Sequence, residues 1–218
     1  MMHAVVGLTA RIFRRAVVMP NLQPPITSID AAVNYRKHIL SAVPEGIPFK
    51  PLMTIYLKDN LSPEVLECGH EQGIFFAAKL YPANSTTNSS EGVTDIKAIS
   101  SLLETMERIG MPLLIHGEVT DSHIDIFDRE EIFIERNLKP LLSRYPLLKV
   151  VLEHITTEQA VHYVETSTSN LAATITPHHL HINRNAMFFG GLRSDFYCLP
   201  VAKRERHRLA LRRAAISG

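Results

Sequence analysis

Lys79, His116 and His154 each lie at or near the end of an apolar segment, and together their side chains could bind a metal ion. The intervals between them are nearly equal, at 37 and 38 residues. Two neutral imidazoles and one anionic oxygen would form a site for a divalent metal with a position left open for water. A metal-bound water loses its proton near neutral pH, which would create a nucleophile for hydrolysis.

Lys79 is the unusual member of this set, because its neighbours on both sides are apolar. A charged ammonium group in such surroundings is costly unless it is paired, has a lowered pKa or is chemically modified. A neutral lysine can take up CO2, and the resulting carbamate is an anion with two oxygens that can bridge metals. The simpler alternative is a lysine that reaches the end of its strand and pairs with a carboxylate.

Apolar segments alternate with helical patterns along the whole chain, which predicts a single α/β domain over residues 1–218. The predicted strands are 16–20, 52–57, 75–81, 113–116, 150–154 and 171–176. Nearly continuous apolar runs are typical of a parallel sheet covered on both faces. The strand–helix repeats imply either an α/β barrel or an open doubly wound sheet. In a barrel, Lys79, His116 and His154 would converge at the carboxyl ends of neighbouring strands, where active sites lie.

The predicted helices cover 2–13, 28–42, a segment from 62, 94–109, 126–143, a segment from 157, and 203–215. Residues 1–29 contain arginines and no acidic residue, as transit peptides do, but we interpret them as a surface helix leading into a strand. The basic run 203–208 is interpreted as part of an amphipathic outer helix rather than as a nucleic-acid site.

Composition excludes several classes of partner. The chain has 45% hydrophobic and 21% charged residues and a net charge of +1, so no global field would attract nucleic acid or an anionic membrane. No apolar run approaches the roughly 18 to 20 residues that span a bilayer. Two cysteines without a CxxC pattern favour a reducing compartment, and we expect a cytoplasmic location.

Other histidines and glutamates near the strand ends are further candidates for metal ligands or for residues that orient them. His178 and His179 would point to opposite faces if the preceding strand continued through them, so we expect structural roles there. Glu118 and Glu153 flank the two histidines and could orient them. Five more histidines fall in or beside helical stretches and are expected at the surface: His38, His70, His123, His162 and His207.

Four segments of the chain closely resemble bacterial-type dihydroorotases, which belong to the amidohydrolase superfamily. They are 16–21 (AVVMPN), 77–88 (AAKLYPANSTTN), 115–118 (IHGE) and 153–157 (EHITT). The resemblance extends over essentially the whole chain. It implies a TIM-type (β/α)8 barrel, incomplete here with about six of the eight strands, the first and last being missing.

The resemblance also implies a cofactor and a reaction. Two zinc ions would be bridged by the carbamate of Lys79, with His116 and His154 binding the second of them. Hydroxide would attack the ring amide of dihydroorotate, and the reverse reaction would close carbamoyl aspartate in pyrimidine biosynthesis.

For the small-molecule substrate, the resemblance implies four binding positions. Asn21 would help to hold its carboxylate, and Thr86 and Thr87 would lie on a loop that closes over it. The backbone of Leu199 would face the pyrimidine ring. Asn21 and the threonine pair argue against an amidohydrolase for a different cyclic amide.

Two family motifs are not found in the sequence. The His-x-His-x-Arg motif has no counterpart, since His3 is isolated, and the segment with the catalytic aspartate has none before Ser217-Gly218. We therefore expect no retained catalytic residue, only the second metal's half-site, and an inactive, aggregation-prone chain with unpaired sheet edges. The alternatives are a non-catalytic remnant or a subunit that supplies a partial site in an assembly, and a homodimer is possible.

Overall fold

Six parallel strands pair in the order of the chain to form one curled sheet in the computed structural model, which describes residues 2–217. Every strand overlaps a predicted one, and four of the six are one to three residues shorter. Their bounds are β1 Arg15–Val18, β2 Lys50–Tyr56, β3 Ala77–Leu80, β4 Leu113–His116, β5 Val150–Glu153 and β6 Leu171–Ala173.

Nine α-helices lie in the described part of the chain. They are α1 Met2–Ile12, α2 Ile29–Ser41, α3 Pro63–Glu71, α4 Ser100–Ile109, α5 Arg129–Phe133, α6 Lys139–Arg144, α7 Glu158–Thr166, α8 Pro177–His181 and α9 Glu205–Ile216. A π-helical turn, Ile134–Leu138, joins α5 to α6, and 3₁₀ turns cover Ile96–Ile99, Arg184–Met187 and Ser194–Phe196. Local sequence explains several ends: Ser28 caps α2 by accepting from the amide of Ala31, and Gly110 ends α4 at φ 71°.

Helix α8 was not predicted: His178 and His179 lie in it rather than in a continued strand, and their structural roles remain a prediction. Strand β6 ends at Ala173, Thr176 precedes the helix and Pro177 occupies its first turn. The chain is therefore helical at His178 and His179, and their rings lie 4.2 Å apart rather than on opposite faces of a strand.

Alternate side chains of β3 and β4 point to opposite faces of the sheet. Ala78 and Leu80 of β3, like Leu113 and Ile115 of β4, belong to the apolar core that packs against the outer helices. Lys79 and Leu114, which lie between these core residues, must therefore point to the concave face. Every residue of both strands is buried, as expected for a sheet covered on both faces.

The two outer strands have one pairing partner each within residues 2–217: β1 pairs with β2, and β6 with β5. Beside β1, helix α1 presents apolar side chains to solvent, and Val17 of the strand itself is 40% exposed. No helix among the described residues is long and apolar enough to cross a membrane.

Candidate metal centre

The three residues singled out by their spacing come together on the concave face of the sheet. Strands β3, β4 and β5 are neighbours, with Lys79 level with Leu114 and His116 level with Glu153. Lys79 and His116 are buried, and the ring centroids of His116 and His154 are 4.8 Å apart. The geometry fits a shared centre, and the role of these residues as metal ligands remains a prediction.

Lys79 is paired with a carboxylate from β5. Its Nζ donates a hydrogen bond to Glu153, and the ammonium lies 4.9 Å from the ring centroid of Tyr81. Burial lowers the pKa of Lys79, and the negative charge of Glu153 opposes this shift. As an unmodified amine, Lys79 therefore adopts the simpler of the two arrangements considered for it. The lowered pKa increases the fraction of neutral amine, which is the form that reacts with CO2, and the ion pair with Glu153 opposes this.

His154 leaves the end of β5 in an unusual backbone conformation. Its φ is 45°, in the left-handed region that residues other than glycine seldom adopt. The amide of His154 donates to the hydroxyl of Thr174 at 2.8 Å, which helps to hold this turn. The ring Nδ1 is buried and has no hydrogen-bond partner among the described residues. Such an orphaned nitrogen fits a ligand to a metal ion.

Both imidazoles are neutral at neutral pH, which is the state that binds metals. Burial, followed by the nearby charge of Lys79, lowers the pKa of His154 well below its usual value. Burial also lowers the pKa of His116. Glu118, which has a carboxylate oxygen 2.9 Å from the ring Nε2, opposes this shift. Of the two flanking glutamates, Glu118 thus contacts its histidine as expected, whereas Glu153 contacts Lys79 instead.

Within residues 2–217, no three side chains of histidine, cysteine, aspartate or glutamate are gathered so that they could hold a metal ion. The centre therefore offers two imidazoles, and a third protein donor would have to come from Lys79. An amine that becomes a carbamate would supply an oxygen at that place. The donor set fits a metal only with that modification.

The residues expected to bind substrate fall into two places. Asn21 donates from Nδ2 to the carbonyl of Thr87 at 3.1 Å, and Asn88 donates to the carbonyl of Asn21 at 3.0 Å. These bonds attach the loop that carries Thr86 and Thr87 to the segment after β1. Within the described residues, no hydrogen bond links Leu199 to that loop; its neighbour Pro200 accepts from His179 at 3.0 Å.

Two buried polar residues, Lys203 and His207, were not predicted from the sequence. Lys203 was assigned to the last helix but lies before it and is 4% exposed, facing Glu118 and Glu130. His207 was expected at the surface, and this is wrong: it is buried, and its Nδ1 accepts from the amide of Glu158. No sequence signal marks either residue, because a basic amphipathic segment looks the same whether or not its first lysine is buried.

Comparison with known proteins finds that the chain is similar to dihydroorotases, although no protein-family model matches it. Over all 218 residues it is 69% identical to the dihydroorotase of Parasynechococcus marenigrum (strain WH8102), of which it covers 64%. It superposes with a TM-score of 0.90 on a dihydroorotase from Campylobacter jejuni, at 37% identity, covering 99% of this chain and 62% of that one. For dihydroorotase from Saccharomyces cerevisiae in complex with 5-fluoroorotic acid, the TM-score is 0.88 at 32% identity, with coverage of 99% and 62%.

These similarities confirm the expected fold class. The six strands and their helices superpose on part of a larger amidohydrolase barrel. The chain spans somewhat less than two thirds of the length of the curated relatives that it matches.

Proposed function

We propose that this chain, which is dihydroorotase-like along its whole length, carries part of the metal centre of a cyclic-amide hydrolase. The proposed reaction is the zinc-dependent interconversion of dihydroorotate and carbamoyl aspartate in pyrimidine biosynthesis. The observation that carries the proposal is the convergence of Lys79, His116 and His154 from three neighbouring strands. Similarity to dihydroorotases supports the choice of substrate.

The proposed ligands of zinc are a carbamate oxygen on Lys79 and the imidazoles of His116 and His154. A bound zinc ion would supply a hydrolytic nucleophile near neutral pH. The protein would contribute two neutral imidazoles as ligands and would exclude water from around them. Lys79 and His116 are buried, as is the Nδ1 atom of the half-buried His154, which supports that role.

For the substrate, we propose that Asn21 binds the carboxylate, that Thr86 and Thr87 cover it, and that the backbone of Leu199 faces the ring. The bonds between Asn21 and the threonine loop support a common site for the first three. They also require that Asn21 exchange one protein partner, the carbonyl of Thr87, for the substrate.

We propose further that the chain alone binds one zinc ion and does not turn over dihydroorotate. Residues 2–217 offer donors for one metal and hold no additional cluster of metal-binding side chains. The chain would then act as a partial-site subunit of a larger assembly, and a non-catalytic remnant is the alternative. A homodimer remains a prediction.

The test measures zinc bound after dialysis and the absorbance of dihydroorotate formed from carbamoyl aspartate. We expect a single zinc ion per chain, lost in Lys79→Met and His154→Gln and kept in His123→Gln, which alters an exposed histidine. Failure to bind zinc, or zinc retained by Lys79→Met, would refute the metal centre. Turnover by the chain alone would refute the partial site.

A mixing experiment distinguishes the assembly from the remnant. The partner is a full-length dihydroorotase whose own lysine and histidine ligands have been replaced. Activity that appears only on mixing supports a subunit that supplies its half-site, and a mixture that stays inactive supports the remnant.

A further inference from the structure

A chain of buried ionisable side chains leads from His116 to the segment just before α9. The Nε2 of His116 lies 2.9 Å from one carboxylate oxygen of Glu118, and the other oxygen lies 3.9 Å from the Nζ of Lys203. The exposed fractions of the three residues are 1%, 1% and 4%. Burying ionisable groups is expensive unless they are paired, so this arrangement calls for an explanation.

We infer that Glu118 and Lys203 are positioning residues, which hold His116 with its proton on Nε2 and leave its Nδ1 free to bind a metal ion. The identity of the ligand rests on the proposed function. The position of the proton does not, because it is a property of the metal-free chain.

The contact between Glu118 and His116 fixes which ring nitrogen carries the proton. A carboxylate can only accept hydrogen bonds, so the Nε2 beside it must donate. A neutral imidazole carries one proton, so a proton on Nε2 leaves the lone pair on Nδ1. Imidazoles that bind metals commonly donate their other N–H to a carboxylate in this way.

Lys203 supplies the charge that keeps Glu118 in place. The second oxygen of Glu118 has no hydrogen-bond partner in the described part of the chain, and the ammonium of Lys203 is at ion-pair distance from it. Lys203 is itself held by a bond from Nζ to the carbonyl of Val201 at 2.9 Å. Glu130, Asp128 and Arg129 are the other charged groups that act on it.

The consequence is a link between distant parts of the chain. The orientation of a proposed ligand on β4 depends on a lysine 87 positions later, outside the sheet. A role limited to packing would need neither a carboxylate at Glu118 nor a cation at Lys203.

The test is ¹⁵N NMR of the histidine side chains in the metal-free chain, with His116→Gln to assign the signal. We expect His116 to be protonated on Nε2. In Glu118→Leu this preference should be lost, and in Lys203→Met it should weaken. Arg108→Met is the matched control, because it removes a cation from an exposed ion pair with Glu67 and should leave the signal of His116 unchanged.

The signal of His179 reports whether each variant remains folded, since its ring bonds are local to α8 and Pro200. If Glu118→Leu does not fold, Glu118→Gln keeps the volume and should still give a mixture of the two protonated forms. Zinc affinity should fall about 10- to 100-fold in Glu118→Leu, and less in Lys203→Met.

Two outcomes would overturn the inference: a proton on Nδ1 of His116 in the unaltered chain, or the same Nε2 preference in Glu118→Leu and Lys203→Met. Failure of the proposed function looks different. A chain with His116 protonated on Nε2, and with this preference lost in the variants, would support the positioning role even if it bound no zinc.

Discussion

Lys79 and Glu153 form an ion pair across the concave face of the sheet, with β4 lying between their strands. The side chain of Lys79 is 1% exposed and that of Glu153 12% exposed. A carbamate on Lys79 would replace this attraction with a repulsion between two neighbouring anions. A divalent cation bound beside them would offset the repulsion, so CO2 uptake and metal binding should depend on each other.

We therefore predict that Lys79 remains an amine without metal and gains CO2 when zinc and bicarbonate are both present. Native mass spectrometry would detect the added CO2, and ¹³C-bicarbonate would report the carbamate by NMR. Lys79→Met should abolish the adduct, while Lys97→Met, at an exposed lysine, should not. An adduct at the same level without zinc would contradict the coupling.

A second prediction concerns Glu130, a buried carboxylate that caps the turn after β5. It accepts hydrogen bonds from the backbone amides and the hydroxyls of Thr156 and Thr157. Glu130→Ala leaves these buried donors without a partner and should lower the free energy of unfolding by about 3 kcal/mol. Urea denaturation would measure the loss.

The adjacent residue offers a control for this change. Glu131 is exposed and accepts one bond from Gln159, so Glu131→Ala should cost less than about 1 kcal/mol. Equal losses for the two variants would show that the cap at Thr156 and Thr157 is not what Glu130 stabilises.

A third prediction is a pH dependence that originates at His179. Burial lowers the pKa of His179 to about 4, and the ring donates from Nε2 to the carbonyl of Pro200 while Nδ1 accepts from Thr176. The unfolded chain binds the proton near pH 6.5, whereas the folded chain does so only near pH 4. Stability should therefore fall as the pH drops through this window, by on the order of 3 kcal/mol from His179.

Unfolding curves recorded between pH 7 and pH 4 would test this. His179→Gln removes the titrating group, so its stability should decline less over the same range than that of the unaltered chain. Parallel curves for the two proteins would assign the pH dependence to other groups.

A fourth prediction follows from the apolar edge at β1. Val17 is 40% exposed beside α1, where Leu8 and Ile12 are 66% and 77% exposed. An unpaired edge with apolar neighbours favours association between chains, and a lysine there opposes it. Val17→Lys should shift the sedimentation profile towards the monomer, whereas Leu147→Lys, at a leucine that is 77% exposed and lies outside the sheet, should not. A monomeric unaltered chain would contradict the prediction.

The sequence by itself located the six strands, most of the helices and the three residues of the candidate centre. Apolar runs mark each strand whatever surrounds it, and regular spacing along a repeated strand–helix unit places Lys79, His116 and His154 on neighbouring strands. These signals are local or periodic, so they can be read without coordinates.

Only the tertiary structure decided which partners these residues meet. Glu153 lies 74 positions from Lys79, and the register of β3, β4 and β5 brings them together. Lys203 looked like the start of a basic surface helix, and its burial against Glu118 depends on how the chain returns to the sheet after α8. Contacts between such distant residues depend on packing, which neither composition nor spacing records.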